Sequence, residues 1–250
     1  MKNSKNISDS DMAGLFDTLA NKYDLLNRTL SLGLDLLWRR KAAKTVRTLG
    51  PRKLLDVAVG SGDLLISCLK HNPDLAEAVG VDLSEEMLKI ADRKIKKNGE
   101  KLCEKTQLLQ ASASCLPFDN DSFDCVTIGF GIRNFSNKQD GLAEIKRVLK
   151  PGGTLVILEF ALPKSLVVRK LYLLYLRHLV PLAGGILAGN RGAYKYLNDS
   201  IEDFGPAEKL CQILSDAGFT EIKTTPLTLS IACIYVAKKT TGTGSTASGQ

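Results

Sequence analysis

Apolar positions along the chain follow two alternating rhythms. From Met12 to about Trp38, Leu15, Phe16, Leu19, Tyr23, Leu26 and Leu30 fall at three- and four-residue steps, the period of a helix with one buried face. A second helix, Trp38 to Leu49, carries Arg39, Arg40, Lys41, Lys44 and Arg47 and no acid. Lys53–Ala58 then opens a series of short apolar runs with little polar alternation, continued by Ala78–Asp82, Thr106–Ala111, Phe123–Ile128 and Thr154–Phe160. Such runs suit strands covered on both faces. Between them lie a helix from Asp63, a helix capped by Ser84-Glu85-Glu86 that stops at Asn98-Gly99, and Lys138–Leu149, which stops at Lys150-Pro151-Gly152-Gly153. Strands separated by helices predict a doubly wound, mostly parallel α/β sheet with ligands at the strands' carboxyl ends.

Two more strand-like runs, Thr220–Thr225 and Leu229–Lys238, follow a helix over Ala207–Ala217. With no helix between them they read as an antiparallel hairpin closing a seven-stranded sheet at its edge. Residues 162–200 break the rhythm. Leu166–Val180 is strongly apolar, yet Arg169, Lys170, Arg177 and Pro181 spoil the ~18 clean apolar residues of a membrane span. Its place after the fifth strand makes it a helical lid over the site. The expected organisation is a flexible N-terminus (1–11), one domain (12–239, with N-terminal helices over 12–50 and the lid over 162–200) and a Gly/Ser/Thr-rich disordered tail (240–250).

The chemistry concentrates at Leu54-Leu55-Asp56-Val57-Ala58-Val59-Gly60-Ser61-Gly62-Asp63-Leu64-Leu65, a strand, a glycine-pinched turn and a helix start. Gly60 and Gly62 remove the Cβ atoms that would keep a ligand off the backbone. A dinucleotide fingerprint needs a third glycine where Leu65 stands, so the turn is a poor pyrophosphate seat. Asp82, twenty residues after Gly62, ends the second strand and can accept hydrogen bonds from a ribose hydroxyl pair. The pattern therefore points to a nucleoside ligand without a pyrophosphate.

Composition adds limits. The 250 residues suffice for one sizeable domain, and the net charge of +7 favours anionic partners, phosphate-rich lipid surfaces among them. No interleaved aromatic and basic tract of the kind that binds single-stranded RNA is present, so no nucleic-acid partner is expected. Six cysteines form no C-x-x-C pair, and only His71 and His178 could add imidazole; no metal site is expected. Reduced, mostly buried cysteines and an N-terminus without an apolar signal region predict a cytoplasmic protein. Whether the basic helix and the lid also meet the inner face of a membrane stays open, as does the oligomeric state.

The chain resembles the class I S-adenosylmethionine-dependent methyltransferases, and within them the ubiquinone/menaquinone biosynthesis C-methyltransferase family. The likeness rests on Phe16–Asn27 with Ser31-Leu32-Gly33 and Leu37-Trp38-Arg39-Arg40, on Asp56–Asp63, and on Ala111–Phe118 leading into Phe123-Asp124. It continues in Phe130-Gly131-Ile132-Arg133-Asn134, Arg147–Gly153, Leu158-Glu159-Phe160, the Tyr194–Ile201 segment and Asp216–Phe219. Together these cover about residues 12–237. The resemblance implies S-adenosylmethionine as methyl donor and a Rossmann-like class I methyltransferase sheet. Ser61 and its flanking Gly60 and Gly62 would line the methionine part, and Asp56 and Gly129 would also belong to the cofactor-binding set. Asp82 would hold the ribose hydroxyls beside Leu83, and Ser112-Ala113 would border the adenine. Gly129 stands where relatives often carry serine, and Ser112 where many methyltransferases have Asp or Asn, which weakens the expected grip on the adenine amino group. Val59 and Phe204-Gly205-Pro206 also depart from the usual pattern.

The reaction so implied is C-methylation of a prenylated quinol ring, demethylmenaquinol or a polyprenyl methoxybenzoquinol. The ring carbon becomes nucleophilic when a quinol hydroxyl loses its proton. Arg133 is the expected electrostatic support of the phenolate, Asn134 would orient the oxygen, and Tyr23 would close the cofactor side. Arginine, with a pKa above about 12, is a poor literal base. The alternatives are a methyltransferase acting on another small molecule and a non-catalytic binding module; thermal stabilisation by S-adenosylmethionine separates the second from the enzyme.

Overall fold

A computed structural model describes residues 8–179 and 191–241. Of the N-terminus expected to be flexible over 1–11, residues 1–7 lie outside the described residues and residues 9–11 are helical; the 180–190 part of the lid and the tail beyond 241 also lie outside the described residues. The chain opens with α1 (Asp9–Ser31) and α2 (Asp35–Leu49). Helix α1 starts three residues before Met12 because the Ser8 hydroxyl accepts from the Asp11 amide at 3.2 Å. It stops well short of Trp38 because Leu32 and Gly33 take left-handed backbone angles (φ 54° and 77°), and the Gly33 amide closes on the Arg28 carbonyl at 2.8 Å. The single long helix expected over 12–38 is therefore two, with a corner at 32–34.

The sheet consists of β1 (Lys53–Val57), β2 (Glu77–Asp82), β3 (Thr106–Gln110), β4 (Phe123–Gly129), β5 (Leu149–Phe160), β6 (Phe219–Leu227) and β7 (Ala232–Lys239). Its order is β3-β2-β1-β4-β5-β7-β6. The first five strands are parallel, with Leu54 opposite both Ala78 and Cys125, and Gly129 opposite Leu158. Strand β7 inserts antiparallel between β5 and β6, pairing Leu155 with Ala237. The hairpin thus closes the sheet as expected, with the later strand inside. Its second strand begins at Ala232 rather than Leu229, since Thr228, Leu229 and Ser230 all have positive φ and form the turn.

Helices cover both faces. One core gathers α2 with α3 (Asp63–His71) and α4 (Glu85–Lys97), through Val46, Leu65, Leu69 and Ile95. The other gathers α6 (Lys138–Val148) and α9 (Ala207–Asp216), through Leu142, Ile145, Leu210 and Leu214. A short α5 (Glu100–Glu104), which the apolar pattern does not announce, links α4 to β3. After β5 the lid opens as α7 (Leu166–Leu174), widens into a π turn over Tyr175–Leu179, and resumes as α8 (Arg191–Phe204), which passes the expected end at Ser200.

The basic second helix needs correction. It begins at Asp35, so it does contain an acid, and Arg39 is buried against that residue, Nε lying 3.6 Å from Asp35 Oδ2. Arg40, Lys41, Lys44 and Arg47 remain exposed. Trp38 from the same helix packs on Phe130 and Phe160, ring centroids 6.3 and 6.0 Å away. That aromatic cluster seats α2 beneath the carboxyl ends of β4 and β5. Of the cysteines, Cys68, Cys125 and Cys233 are buried and Cys115 is exposed.

Candidate active site

Strands β1 and β4 are neighbours, yet the chain leaves β1 toward β2 and β4 toward β5. The reversal opens a crevice at their carboxyl ends. Ala58, just past β1, and Phe130, just past β4, both adopt positive φ (55° and 59°), a conformation that non-glycine residues rarely hold. The two loops meet face to face: a Cβ on Gly131 would lie 2.7 Å from the Ala58 Cβ.

A cavity with about 690 Å³ of empty space, mouth included, lies along this edge. The residues after β1 and β4 contribute Ala58, Gly60, Phe130, Gly131 and Asn134. The end of β2 and the residues after it and β3 contribute Asp82, Leu83, Ala111, Ser112 and Ala113, α4 contributes Met87, and α1 contributes Asp9, Met12, Phe16 and Tyr23. Among the described lining residues there are two acids, Asp9 and Asp82, and no base. This lining suits a cation carrying a ribose and a flat base, and it opposes a pyrophosphate, which needs donors and positive charge. Asp82 meets the bend directly. Its Oδ2 accepts from the Gly60 amide at 2.8 Å and its Oδ1 from the Ser84 amide at 2.9 Å. Withdrawal from water raises its pKa above the ordinary carboxylate value, and these two amides pull the other way.

The expected site residues divide into two sets. Tyr23, Asn134, Gly60, Asp82, Leu83, Ser112 and Ala113 line the cavity. Arg133, Asp56, Ser61, Gly62 and Gly129 are not among the lining residues. The absent Cβ of Gly62 faces α4, 3.1 Å from the Ala91 Cβ, so this glycine brings two helices together. That of Gly129 faces Leu64 at 3.0 Å. The Ser61 hydroxyl donates to Asp24 at 2.6 Å and receives from Lys94 at 3.0 Å. Asp56 is buried inside the sheet, accepting from the Thr127 hydroxyl at 2.7 Å. Burial pushes its pKa up to about 7, against that hydrogen bond and the charge of Arg39. Helix α3 begins at Asp63 as expected, with Gly62 before it at the cap position, and the Asp63 carboxylate pairs with Lys94 at 2.7 Å.

Arg133 turns away from the cavity and under the lid. Its Nη1 lies 2.7 Å from Glu159 Oε1 and 2.5 Å from the Phe130 carbonyl, its Nε donates to Ser200 at 3.3 Å, and its Cζ sits 5.5 Å from the Phe160 ring centre. Neither side chain of the Arg133–Glu159 pair is exposed. Burial works against the guanidinium's charge, but Glu159 holds its pKa above the ordinary value. Nη2 is buried with no hydrogen-bond partner among the described residues, and so is the Tyr172 hydroxyl. The charge of Arg133 reaches the phenols of Tyr23, Tyr172 and Tyr196, whose own pKa values burial raises.

The apolar pattern missed two groups. Tyr196 of α8 donates to Asn134 Oδ1 at 3.1 Å, at the rim where lid and cavity meet; its tyrosine-rich segment was legible, its direction was not. The other is the acidic stripe of α1. Asp9 accepts from Ser112 Oγ at 2.5 Å and from the Ser136 hydroxyl, Asp17 from Ser84 Oγ at 2.5 Å, and Asp24 from Ser61 Oγ at 2.6 Å. Those serines follow β3, β4, β2 and β1, so α1 lies as a strap across the strand ends.

Comparison with known proteins agrees with this geometry. The model of the ubiE/COQ5 methyltransferase family matches residues 3–239. A demethylmenaquinone methyltransferase of Thermus thermophilus is 42% identical over 222 residues, covering 89% of this chain and 98% of the relative. Another of Chlorobaculum tepidum is 42% identical over 236 residues (93% of each). A ubiquinone/menaquinone biosynthesis C-methyltransferase UbiE of Geobacter sulfurreducens is 39% identical over 225 residues (90% and 87%). Among solved structures, a SAM-dependent methyltransferase of Thermotoga maritima superposes with a TM-score of 0.62 at 19% identity, covering 91% of this chain and 99% of that one. A phosphoethanolamine N-methyltransferase of Haemonchus contortus, in complex with S-adenosyl-L-methionine, gives 0.57 at 17% identity (80% and 52%). At such identities these structures speak for the fold alone.

Proposed function

From the premise that the chain belongs to the ubiE/COQ5 methyltransferase family, as a SAM-dependent methyltransferase of menaquinone or ubiquinone biosynthesis or both, we propose how its residues divide the work. S-adenosylmethionine supplies an electrophilic methyl group on a sulfonium sulfur. Asp82 holds the ribose hydroxyls, Leu83 and Met87 flank the base, and Ala58, Gly60 and Phe130 border the methionine portion and the reacting end. The observation that carries this reading is Asp82 bonded to Gly60 at 2.8 Å, inside a cavity with two acids and no base among its described lining.

The acceptor is a prenylated quinol entering from the lid side. There Nη2 of Arg133 and the hydroxyl of Tyr172 are buried without a hydrogen-bond partner among the described residues, and a quinol's two oxygens can supply such partners. Arg133 supports the phenolate, Asn134 and Tyr196 orient the ring, and Tyr23 closes the cofactor side. Charge disperses as methyl transfers, so alignment in a dry pocket accounts for most of the rate, with effective-molarity gains of about 7–11 kcal/mol in favourable systems. Incubation with labelled methyl donor and each demethyl-quinol in detergent tests the assignment. Label in one or both quinones is expected; label in neither, while S-adenosylmethionine still raises the Tm, would leave the cofactor reading standing and sink the acceptor.

The prenyl tail implies a lipid source for the substrate. No helix among the described residues is long and apolar enough to cross a membrane. The α1–α2 corner exposes Leu32, Leu36 and Leu37, α7 exposes Leu166, Val167, Leu171 and Leu174, and the β6–β7 turn exposes Leu229. These elements touch: Trp38 Nε1 donates to Thr228 at 2.9 Å, and the Tyr175 hydroxyl to the Thr29 carbonyl. With Arg40, Lys41, Lys44 and Arg47 exposed on α2, the face fits the surface of an anionic bilayer. Sedimentation with anionic vesicles, weakened by salt, is the expected result; indifference to lipid charge would count against it.

A further inference from the structure

We infer that Asp9, in the first turn of α1, reads the adenine base, accepting from its 6-amino group in place of a carboxylate at the end of β3. The inference rests on the cofactor reading above. Just past β3 stands Ser112, a short side chain whose hydroxyl is already committed: it donates to Asp9 at 2.5 Å and lies 2.8 Å from Ser114 Oγ. A hydroxyl so occupied makes a weak anchor for an exocyclic amine. The helix, however, has brought a carboxylate to the same spot.

Three observations converge on Asp9. It lines the cavity together with Ser112, Ala113, Ser136 and Asn137. Adjacent strands lie ~4.8 Å apart, so a nucleoside with its ribose at Asp82, the end of β2, extends its base past the end of the neighbouring β3, where Asp9 stands. The carboxylate also has capacity to spare. Each oxygen accepts one serine hydroxyl, Oδ2 from Ser112 and Oδ1 from Ser136, whereas an ionised carboxylate offers about four acceptor sites. A purine with an amino group at position 6 presents a donor to that oxygen pair. One with a carbonyl there presents a lone pair against a negative charge.

The other two aspartates of the strap separate this role from that of a fastening. Asp17 holds Ser84 at 2.5 Å and Asp24 holds Ser61 at 2.6 Å, yet neither aspartate is among the cavity's described lining. All three fix α1 over the crevice; Asp9 alone among them also faces the nucleoside space.

The test is calorimetry on the full chain with two probes, S-adenosylhomocysteine and S-inosylhomocysteine, which differ at the purine's position 6, amino against carbonyl, and in the proton that the carbonyl form carries on the adjacent N1. The wild type should prefer the adenosyl form by on the order of tenfold to a hundredfold, the span of one hydrogen bond to a charged group. Asp9→Asn turns a donor toward the inosyl carbonyl, so its preference should shrink to near unity or invert. Asp17→Asn, which loosens the strap without touching the base, should weaken both ligands in equal proportion. Ser112→Ala should leave the preference intact, because the carboxylate remains. Asp9 is half-buried in a first helical turn, where asparagine costs little, and the Tm of each variant verifies folding. A preference unchanged in Asp9→Asn, or lost in Ser112→Ala, overturns the assignment while leaving the cofactor reading standing. Failure of the wild type to bind either probe overturns both.

Discussion

Arg133 and Glu159 offer a test that separates a structural role from a chemical one. Their side chains are fully buried, Nη1 lies 2.7 Å from Oε1, and Glu159 also accepts from the Phe160 amide at 2.9 Å. Removing one partner leaves the other charged and alone in the interior, which costs about 3–5 kcal/mol. Against a total stability of roughly 5–15 kcal/mol, Arg133→Met or Glu159→Leu by itself brings the protein close to unfolding, and lost activity then proves nothing. The double variant Arg133→Met/Glu159→Leu removes both charges and keeps apolar volume beside Phe160. Urea midpoints at constant m should therefore show it recovering most of the loss. Activity should not recover. If Nη2 favours the phenolate over the neutral quinol, kcat for the demethyl-quinol stays down, about tenfold for each unit by which the quinol hydroxyl's pKa rises when the guanidinium is lost. A double variant that is folded and turns over at the wild-type rate would refute the role and reduce the pair to a fastening between the 130–134 loop and β5.

Three further outcomes follow from the geometry. Asp56 holds its proton up to about pH 7 when folded and releases it near pH 4 when unfolded, so stability is full below pH 4 and declines as pH climbs through 7. Asp56→Asn removes that dependence; in urea titrations it should gain on the wild type by on the order of 2–4 kcal/mol between pH 5 and pH 8, and parallel curves would show the group unperturbed. Gly131→Ala places a methyl 2.7 Å from the Ala58 Cβ and should lower stability by about 1–3 kcal/mol while weakening S-adenosylmethionine in calorimetry. Leu166→Glu/Leu171→Glu alters residues that are 77% and 63% exposed, so it should leave the Tm within a degree or two yet reduce sedimentation with anionic vesicles.

The sheet was legible because its strands are buried on both faces, and unalternated apolar runs have few other uses. Strand β2 is read correctly to within one residue, and its terminal Asp82 with it, because a carboxylate closing an apolar run is conspicuous. Glycines were harder. The pairs at 60 and 62 look alike in sequence, but Gly60 borders the cavity and Gly62 makes room for Ala91, a difference set by a helix about thirty residues away. The α1 strap was hidden for a similar reason. Asp9, Asp17 and Asp24 sit eight and seven residues apart, on one side of a helix, and a polar helix face resembles a solvated one until its serine partners are known. Arg133 combined both difficulties: its loop was identifiable, but only packing reveals that its guanidinium is bound to Glu159.

Neutrality at the reacting end leads to one last expectation. A sulfonium cation and a phenolate both lose charge as methyl transfers, so any anion placed beside the sulfur stabilises the reactants more than the transition state. The acids of the described lining, Asp82 and Asp9, are those proposed for the ribose and the base, whereas the residues proposed for the reacting end, Ala58, Tyr23, Phe130 and Asn134, carry no carboxylate. Asn134→Asp puts one there with almost no change of shape and preserves an acceptor for the Tyr196 hydroxyl, now 3.1 Å from Oδ1. Uniform tightening would lower KM alone. Ground-state stabilisation should lower KM for S-adenosylmethionine and also lower kcat, about tenfold for each 1.4 kcal/mol of selective stabilisation. Steady-state kinetics at saturating quinol read both constants. A rise in kcat would mean that the new carboxylate takes the quinol's proton and that deprotonation, not alignment, limits the reaction.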